Sequence, residues 1–380
     1  MDDTHIWHSV TREENERQEH QVLAPWAAFS DESRGRAYPT RPDAVRTAYQ
    51  RDRDRIIHSA AFRKLAYKTQ VYVIHEGDYF RTRLTHTMEV AQIARSLARG
   101  LRLNPDLTEA VALAHDVGHT PFGHSGEAAL NRLLEQEGGF EHNRQGVRVV
   151  EYLERRYRDF PGLNLSFEVR EGIAKHSTSY DAPHVAGYNA DQAPPLEAQL
   201  VDVADEIAFN HHDLDDAMKM HLLNRNDLEA VPWVADLCRQ HEDILEVGPE
   251  AFDSISRNRL IGALIDMAVF DVLETTTANL REAGIGSLED VRNAGRRLVE
   301  FSAQARERNA LLRDFLFKRV YRHPYVIRMT NKADGFISRL FELYIDKPEI
   351  LPYKYQDRID GDSLETVVAD YISGMTDRYC

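Results

Sequence analysis

The sequence predicts an all-α protein that contains at most one short β-hairpin. Apolar residues recur at intervals of three and four along most of the 380 residues, which places them on one face of successive helices. The run TQVYVI, residues 69–74, has the composition of a strand, but it is too short for a large sheet. We therefore expect helices to supply almost all of the packing.

The composition is that of an ordinary folded chain. Hydrophobic residues make up 42% and charged residues 29%, a balance that argues against disorder. The two cysteines, Cys238 and Cys380, are too few for a disulfide framework or a Cys-rich zinc site, as is typical of a reducing cytosol. There is no N-terminal signal pattern, and no apolar run approaches the roughly 20 residues that span a bilayer. We therefore expect a cytoplasmic protein without membrane contact.

The charge is negative overall and locally positive. A formal net charge of −15 disfavours general binding to nucleic acid, because attraction to phosphate needs a basic surface. Residues 51–83, however, carry eight Lys or Arg against four Asp or Glu, a local excess of four positive charges. Such a segment suits a small anion held in a defined pocket, although charge alone favours solvated helix faces and ion pairs.

Amphipathic helices follow one another along the chain. The first strong signal is LTHTMEVAQIARSLARGL, residues 84–101, which Gly100 stops. NPDLTEAVALAHDVGH, residues 104–119, comes next, and Asp106 with Glu109 resembles a capping box at its start. Later helices are predicted at QGVRVVEYLERRY (145–157), at LEAQLVDVADEIAFNHHDLDDAM (196–218), and near 258–275, 288–320 and 333–346.

Two segments depart from this pattern. Residues 180–195 are rich in Pro, Gly, Asn and Asp, which predicts a surface loop beside the site rather than a domain boundary. Residues 1–40 are polar and weakly periodic, and we expect an arm that lies on the core or on a neighbouring subunit.

Two histidines lie on the apolar faces of predicted helices. His86 stands four residues before Val90 and seven before Ile93, so it points inward. His115 stands four residues after Val111 on the next helix, near its end. A single helical histidine is more often an ordinary core or surface residue than a metal ligand.

Two aspartates join these histidines. Asp116 directly follows His115, and Asp205 stands four residues after Val201 on a third helix. A buried carboxylate without a partner is very costly, so several ionisable residues on apolar faces need a common partner. The set predicts a site for Mn²⁺, Fe²⁺ or Zn²⁺ that leaves positions open for water and a phosphate oxygen.

These residues lie in segments that resemble a known family. RLTHTMEV, AHDVGHTPFGHSGE and ADEIAFNHHDLDDA are similar to the H…HD…D pattern of the HD phosphohydrolases, in the version of the deoxynucleoside triphosphate triphosphohydrolases, the dGTPase-like group. The resemblance extends over nearly the whole chain, and includes RDRDRIIHSAAFRKLAYKTQVY, EHNRQGVRVVE, GIAKHSTSYD and VYRHPYVIRM. Guanosine tetraphosphate hydrolases and cyclic-nucleotide phosphodiesterases do not usually carry the GHTPFGHxGE extension.

The resemblance implies an architecture and an activity. It implies an HD-domain helical bundle with additional C-terminal helices: an N-terminal arm at 1–54, a phosphohydrolase core at 55–220, and a C-terminal helical region at 221–380 packed on the core. The implied reaction converts a deoxynucleoside triphosphate (dNTP) into a deoxynucleoside and inorganic triphosphate, with water attacking the α-phosphorus. The implied cofactor is Mn²⁺, Mg²⁺ or Fe²⁺. The family also implies a homo-oligomer, often a hexamer, in which a dNTP acts as an allosteric activator.

The resemblance also assigns roles to residues by their place in the motifs. His86, His115, Asp116 and Asp205 match the metal ligands, and His124 with Glu127 matches the catalytic pair. The implied substrate contacts are Arg83 at the α-phosphate, His119 and His142 at the phosphates, and Gln70, Val71 and Phe209 at the deoxyribose. Relatives often have Tyr where this chain has Phe209, which removes a hydroxyl. From the sequence we further expect Lys175, His176 and Tyr180 at the nucleotide end of the pocket.

The chemistry of the reaction fits these residues. The leaving group is a deoxyribose 5′-oxygen, which needs a proton, and a histidine of near-neutral pKa can supply one. We expect His124 to act as this acid and Glu127 to hold its tautomer, although Glu127 also suits the start of a helix as a capping charge. Arg55, Arg63, Lys64 and Lys68 are further candidate phosphate partners, ranked below Arg83.

Two other functions remain open from the sequence. One is an HD-type hydrolase that acts on another nucleotide phosphoester, such as a nucleoside monophosphate. The other is a nucleotide sensor or single-stranded nucleic-acid binder on the same scaffold. The presence of His124 and Glu127 and the net charge of −15 disfavour the second.

Overall fold

Helices form the described part of the chain, and no β-sheet occurs there. The computed structural model describes residues 9–70, 80–177, 185–240 and 254–380. Within these ranges there are sixteen α-helices and three isolated β-bridges, which confirms the predicted all-α class. Thr69 forms one of the bridges with Thr82, whereas residues 71–74 of the predicted strand lie outside the described residues.

The helices follow the order of the predicted signals. The first eight are α1 Arg12–Val22, α2 Ala48–Ile57, α3 Ala60–Lys64, α4 Arg83–Gly100, α5 Pro105–Ala114, α6 Gly123–Leu133, α7 His142–Arg148 and α8 Phe167–Ala174. The second eight are α9 Leu196–Lys219, α10 Pro232–Gln240, α11 Ser254–Glu282, α12 Leu288–Arg292, α13 Ala303–Leu316, α14 Pro324–Asp346, α15 Tyr353–Gln356 and α16 Leu364–Ser373.

Three helices form the centre of the molecule. α4, α5 and α9 all pack against one another, and α2 covers the other side of α5. The predicted stripe on α4 faces this core, with Val90 and Leu97 fully buried, and Val111 on α5 is buried too. Burial of such side chains stabilises the fold by roughly 1.5–3 kcal/mol each. The same inward faces carry the polar residues of the candidate site.

The predicted capping box at the start of α5 is wrong. The cap is Asn104, whose side-chain oxygen accepts hydrogen bonds from the backbone N–H groups of Asp106 and Leu107. Asp106 instead accepts from the guanidinium of Arg53, at 2.9 Å. The spacing of three residues between Asp106 and Glu109 was not a sufficient signal. Asn is itself a preferred cap, and a proline such as Pro105 is common at the first helical position directly after the cap.

Two predicted helices are shorter or interrupted. The helix expected over 145–157 is α7 followed by one π turn, Val149–Leu153, after which Glu154 becomes extended. The helix expected over 288–320 is broken between α12 and α13. There Gly295 has φ +66°, and the following segment packs the side chain of Leu298 into the main core.

The N-terminal segment packs on the core of the same chain. Ala27 and Ala28 are buried in the main hydrophobic cluster. The carboxylate of Glu197 on α9 accepts the backbone N–H groups of Ala28 and Asn104, at 2.9 and 3.0 Å. These bonds fix residues 24–29 against α5 and α9.

The C-terminal helices extend the core at two places. One cluster joins the end of α9 to α10, α11 and α13, and another joins α6 to α14 and α16. Leu130 on α6 and Ile337 on α14 are fully buried in the second cluster. None of the described helices combines the length and the apolar composition that crossing a bilayer requires.

Candidate active site

Three helices bring four predicted residues together. His86 comes from α4, His115 and Asp116 from the end of α5, and Asp205 from α9. His86 Nε2 lies 2.8 Å from Asp205 Oδ1. His115 Nε2 lies 3.5 Å from Asp116 Oδ1 and 3.8 Å from Asp205 Oδ1. The four side chains therefore form one polar cluster inside an apolar core.

His115 presents a lone pair to this cluster. Its Nδ1 lies 2.6 Å from the carbonyl oxygen of Ala112, which can only accept, so Nδ1 carries the proton. Its Nε2 is then an acceptor, and it is buried without a hydrogen-bond partner among the described residues. Asp116 Oδ2 is likewise buried without a hydrogen-bond partner among the described residues. Orphaned acceptors of this kind need a partner, because an unpaired buried polar group is costly.

The donor set fits a divalent transition metal. Metal–ligand bonds of about 2.1 Å at right angles place neighbouring donor atoms about 3 Å apart. The measured separations of 2.8, 3.5 and 3.8 Å are of this size. Two imidazoles and two carboxylates suit several divalent ions and leave further positions open.

The charges of the cluster also suit a cation. Burial alone would raise the pKa of Asp116, but the positive charges of Arg83 and the neighbouring histidines hold it well below its ordinary value. Burial likewise opposes ionisation of Asp205, but hydrogen bonds from His176 and His86 keep its pKa well below the ordinary value. Burial lowers the pKa of His115. Anionic carboxylates and a neutral imidazole are the forms that bind metals.

Arg83 lies between this cluster and the loop before α6. Its side chain is buried, and Nη1 donates to Asp116 Oδ1 at 3.0 Å. Its Nε and Nη2 have no hydrogen-bond partner among the described residues. A Cβ on Gly123, whose φ is +57°, would lie 3.4 Å from Nη2 and 3.2 Å from the carbonyl oxygen of Gln70. Glycine thus lets the loop close on Arg83 and on Gln70.

A second polar group lies on α6 and α7. Glu127 Oε1 accepts from the backbone N–H of His142 and lies 2.9 Å from its Nδ1. Glu127 Oε2 lies 3.7 Å from Nδ1 of His124, whose side chain is 59% exposed. The rings of His119 and His142 are in contact, with centroids 3.9 Å apart. Glu127 therefore serves two histidines, His142 as well as the expected His124.

His119 links the two groups. Its Nδ1 lies 2.9 Å from Asp116 Oδ1. Burial and the charges of Arg83 and His142 lower the pKa of His119 well below its ordinary value, so this imidazole is neutral at pH 7. The donor atoms of His119, Glu127 and His142 lie close enough to hold a second cation.

The predicted substrate residues have different outcomes. Gln70 lies beside Gly123, as described above, and the ring of Phe209 lies 6.4 Å from that of Tyr321. Val71 and Tyr180 lie outside the described residues. The Lys175 ammonium is engaged elsewhere, 2.8 Å from Glu171 Oε1 and 2.8 Å from the Gln192 carbonyl. Lys175 lines a separate cavity of about 310 Å³.

The other candidate phosphate partners bind backbone carbonyl groups. Arg55 donates to the carbonyls of residues 163 and 164, and Arg63 donates to that of residue 58. Lys64 donates to the carbonyl of residue 374, and Lys68 donates to those of residues 119 and 373. Arg55, Lys64 and Lys68 therefore join distant segments of the fold, whereas the bond of Arg63 is local.

The sequence placed His176 at the nucleotide end, but it lies beside the metal cluster. Its Nε2 is 3.6 Å from Asp205 Oδ2, and its Nδ1 is 2.7 Å from Asp202 Oδ1. Burial lowers its pKa, but both carboxylates raise it to about 10, so the imidazolium orients Asp205. Asp202 precedes Asp205 by three residues, and this spacing on one helix face is the signal that sequence reasoning missed.

A second group that the sequence did not indicate lies near Phe209. The Tyr321 hydroxyl donates to the buried carboxylate of Asp213. Asp213 follows Phe209 by four residues and so lies on the same face of α9. Tyr321 comes from the π turn after α13. The periodicity of either segment alone cannot predict that Tyr321 reaches Asp213.

Comparison with known proteins agrees with these observations. The HD domain model matches residues 83–210, and the phosphohydrolase-associated domain model matches residues 299–380. A deoxyguanosinetriphosphate triphosphohydrolase-like protein of Geobacter sulfurreducens is 51% identical over 360 residues, which is 94% of this chain and 92% of the relative. Proteins of the same name from Geobacter metallireducens and Ralstonia pickettii are 50% and 49% identical over 369 and 365 residues. These matches cover 96% and 94% of this chain, and 95% and 92% of the relatives. The chain therefore belongs to the family of deoxyguanosinetriphosphate triphosphohydrolase-like proteins, and its candidate site is built on an HD domain.

Proposed function

We propose that this protein hydrolyses deoxynucleoside triphosphates to a deoxynucleoside and inorganic triphosphate, with a divalent cation at the four-residue cluster. The observation that carries the proposal is the meeting of His86, His115, Asp116 and Asp205 around an orphaned His115 lone pair. Relatives that are 51% and 50% identical are named for the triphosphohydrolase reaction, which favours a triphosphate substrate.

The four residues would hold Mn²⁺, Mg²⁺ or Fe²⁺. When bound, such an ion offsets negative charge on the attacked phosphate and lowers the pKa of water. The chain's own residues keep both carboxylates ionised and His115 neutral, as described above. His176 then holds the second oxygen of Asp205 in place.

The proton for the leaving 5′-oxygen would come from His124. This histidine lies in the first turn of α6 and is accessible to a substrate, since its side chain is 59% exposed. Glu127 Oε2 faces its Nδ1 and would hold a proton on that nitrogen, so Nε2 is the nitrogen that would deliver a proton to the leaving oxygen when the ring carries one on each nitrogen. Glu127 is itself fixed by two bonds to His142.

Arg83 and His119 would bind the phosphate oxygens. Arg83 donates to Asp116 from Nη1, and its Nε and Nη2 have no partner among the described residues. These two nitrogens suit a bidentate contact to a phosphate. His119 faces Asp116 through Nδ1, so any contact to a phosphate oxygen would use its Nε2. The ring of His142 contacts that of His119 and supports the same position.

Gln70 and Phe209 would contact the deoxyribose. Gln70 Oε1 is buried without a hydrogen-bond partner among the described residues, which makes it a candidate acceptor for a sugar hydroxyl. Phe209 with Tyr321 would supply an apolar wall. Val71 and Tyr180 remain predictions for the same part of the site.

A matrix of metals and nucleotides tests the activity. The protein is freed of metal, each dNTP is added singly and in mixtures with Mn²⁺, Mg²⁺ or Fe²⁺, and released triphosphate is measured. We expect triphosphate only when metal and a dNTP are both present. Release of monophosphate and pyrophosphate, or hydrolysis of nucleoside monophosphates alone, would instead favour the other phosphoester hydrolase.

Variants tie the activity to the cluster. His115→Ala and Asp116→Asn should both abolish triphosphate release while the circular dichroism spectrum stays that of the wild type. His58→Ala, which changes an exposed histidine, is the control and should keep full activity. Full activity in either cluster variant would refute the assignment.

We also propose a homo-oligomer in which a dNTP acts as an activator, as the family resemblance implies. Light scattering gives the oligomeric state, and the mixed-nucleotide assays reveal activation as a rise in turnover of one dNTP when a second is added. The predicted boundaries at 54/55 and 220/221 and the cytoplasmic location belong to the same proposal. Nucleic acid is not a favoured partner, because the net charge is −15.

A further inference from the structure

The turn that follows α16 touches the candidate active site through Asp377. This aspartate is 6% exposed. It lies beyond the helices that supply the four metal-cluster residues, in the C-terminal region that also packs on α6. Its side chain faces the two segments that line the substrate side of the site.

One carboxylate joins both segments. Asp377 Oδ2 accepts the backbone N–H of Thr69 at 2.8 Å and also the Thr69 hydroxyl. Asp377 Oδ1 accepts the backbone N–H of Phe122 at 2.9 Å. The backbone N–H of Asp377 donates to the carbonyl of Tyr67 at 3.1 Å. Three donors from positions 69 and 122 thus meet on two oxygens.

The two bonded residues directly precede site residues. Thr69 is followed by Gln70, and Phe122 is followed by Gly123 and then by His124. Phe122 has φ +60°, a left-handed conformation that residues with a side chain rarely adopt, so this position needs an external restraint. Asp377 supplies one by holding the N–H of Phe122.

Lys68 adds a second bond between the same regions. Its ammonium is buried and donates to the carbonyl of Ser373 at 2.8 Å and to that of His119. The end of α16 is thereby connected to the start of the His119–Gly123 loop, while Asp377 is connected to its end. The loop that leads into the helix of the proposed acid is held at both ends from the C-terminal region.

We propose that Asp377 is a positioning residue for the hydrolysis. It sets the spacing between Gln70 at the sugar and His124 at the leaving oxygen by holding the backbone next to each. The inference rests on the proposed function and goes beyond it, because neither the metal cluster nor the catalytic pair includes this residue. The described hydrogen bonds of Asp377 do not involve any of the four metal-cluster residues, so the metal site is independent of it.

The test compares Asp377→Asn with a matched variant. Asparagine keeps the volume but offers one acceptor oxygen, so an amide NH₂ faces the donors of Thr69 or Phe122. Asp271→Asn is the control, because Asp271 also accepts a backbone N–H and a hydroxyl, both from Ser302, which starts α13. Both changes remove the same kind of bond, but the control leaves the two site segments alone.

We expect Asp377→Asn to lower turnover on the order of 100-fold, as misplacement of catalytic groups by about 1 Å does. The dissociation constant for Mn²⁺, measured by calorimetry, should stay that of the wild type. Backbone amide exchange should become faster in peptides covering residues 66–70 or 118–124. Asp271→Asn should keep wild-type turnover and wild-type exchange in those peptides.

Three results would overturn the proposal: turnover in Asp377→Asn equal to that in Asp271→Asn, loss of Mn²⁺ binding in parallel with turnover, or unchanged exchange in both peptides. If Asp377→Asn does not fold, Thr69→Val removes only the hydroxyl bond. It should still speed exchange in residues 66–70 and lower turnover, and wild-type values of both would reject the proposal. Inactivity of the wild type towards every dNTP would refute the proposed function, while the exchange measurement still tests the restraint itself.

Discussion

Glu127 connects two histidines that we assign to different tasks. Burial raises its pKa, but its contact with His124 and its hydrogen bonds with His142 hold the pKa far below the ordinary value, so the group stays an anion. Its charge therefore stays available to orient His124 while its other oxygen fixes α7. In the proposed reaction, a residue with this geometry would act on proton transfer through His124, and it is not one of the four metal-cluster residues.

We predict that Glu127→Gln lowers turnover by roughly 10- to 100-fold, the range found when supporting partners of site residues are removed. The amide keeps the size of the side chain but loses the charge that faces His124 Nδ1. The measurement is turnover of the preferred dNTP beside the Mn²⁺ dissociation constant, which should not change. Glu135→Gln, an exposed change just after α6, should leave both at wild-type values. A Glu127→Gln enzyme with full turnover would contradict the assigned role.

Asp213 should make the stability of the protein depend on pH. Burial, reinforced by the charge of Asp216, raises its pKa from 3.8 to about 7, although the Tyr321 hydrogen bond opposes the shift. Between these values the folded protein holds a proton that the unfolded chain releases. Its contribution to stability is therefore complete below about pH 4 and is lost as pH rises through about 7.

Asp213→Asn tests this linkage, because the amide stays neutral. We predict that the free energy of unfolding of the wild type, minus that of the variant, falls as pH rises from 4 to 8. Urea unfolding at intervals of one pH unit measures the difference. A difference that stays constant with pH would show that Asp213 does not carry the linkage.

Periodicity in the sequence predicted the inward direction of His86, His115 and Asp205, but it could not show that their atoms converge. The HD pattern supplied that expectation, and the structure brings the donor atoms to 2.8–3.8 Å. The position of His176 beside Asp202 and Asp205 could not be predicted from its own segment. Its true neighbours come from α5 and α9, which are distant in sequence.

At the scale of elements, the short path from α5 to α6 sets the geometry of the site. Residues 115–122 carry the chain from the metal cluster to the proposed acid within a few ångströms of Arg83 and Gln70. Gly123 permits this approach, because it has φ +57° and close neighbours. Left-handed Phe122 was not foreseen, because the residue type argues against that conformation.

We predict that Gly123→Ala lowers turnover strongly, whereas Gly284→Ala does not. Both glycines have a positive φ, +57° and +63°. The backbone strain of a side chain should therefore lower the free energy of unfolding by about 1–2 kcal/mol in each variant. A Cβ at Gly284 meets nothing within 4 Å, but at Gly123 it meets Gln70 and Arg83. If the two variants lose similar free energy of unfolding, a difference in turnover between them reports the close approach of Gly123 to Gln70 and Arg83. Equal turnover in the two variants would show that the packing of this loop does not matter for the reaction.

The helix boundaries show where apolar periodicity predicted a helix correctly and where it did not. α4 and α9 follow their apolar stripes almost residue by residue, since the apolar face of α4 and most of α9 meet the core. The predicted helix at 288–320 failed because Leu298 is drawn into the main core by an extended segment, with its backbone N–H bonded to Gln199 Oε1 at 2.8 Å. Tertiary burial overrode a helical pattern that looked continuous.

At the scale of the whole molecule, the C-terminal region is part of the site's support. α14 and α16 pack on α6, and Asp377 and Lys68 connect the turn after α16 to the loop beside Arg83. We predicted that residues 221–380 pack on the core, but the sequence did not predict these individual contacts. Contacts between residues some 250 to 310 positions apart leave no periodic trace in a single sequence.

Metal binding should stabilise the entire fold, because the cluster joins three central helices. His86 lies within hydrogen-bond distance of Asp205, whereas His115 Nε2 and Asp116 Oδ2 are buried without a partner among the described residues, a cost that a bound ion would remove. An ion at 100 times its dissociation constant stabilises the folded state by about 2.7 kcal/mol. We therefore predict that Mn²⁺ raises the melting temperature of the chelator-treated wild type in a concentration-dependent way. His58→Ala should show the same rise, and His115→Ala should show none. A rise of equal size in His115→Ala would place the stabilising ion elsewhere and would separate metal binding from the four-residue cluster.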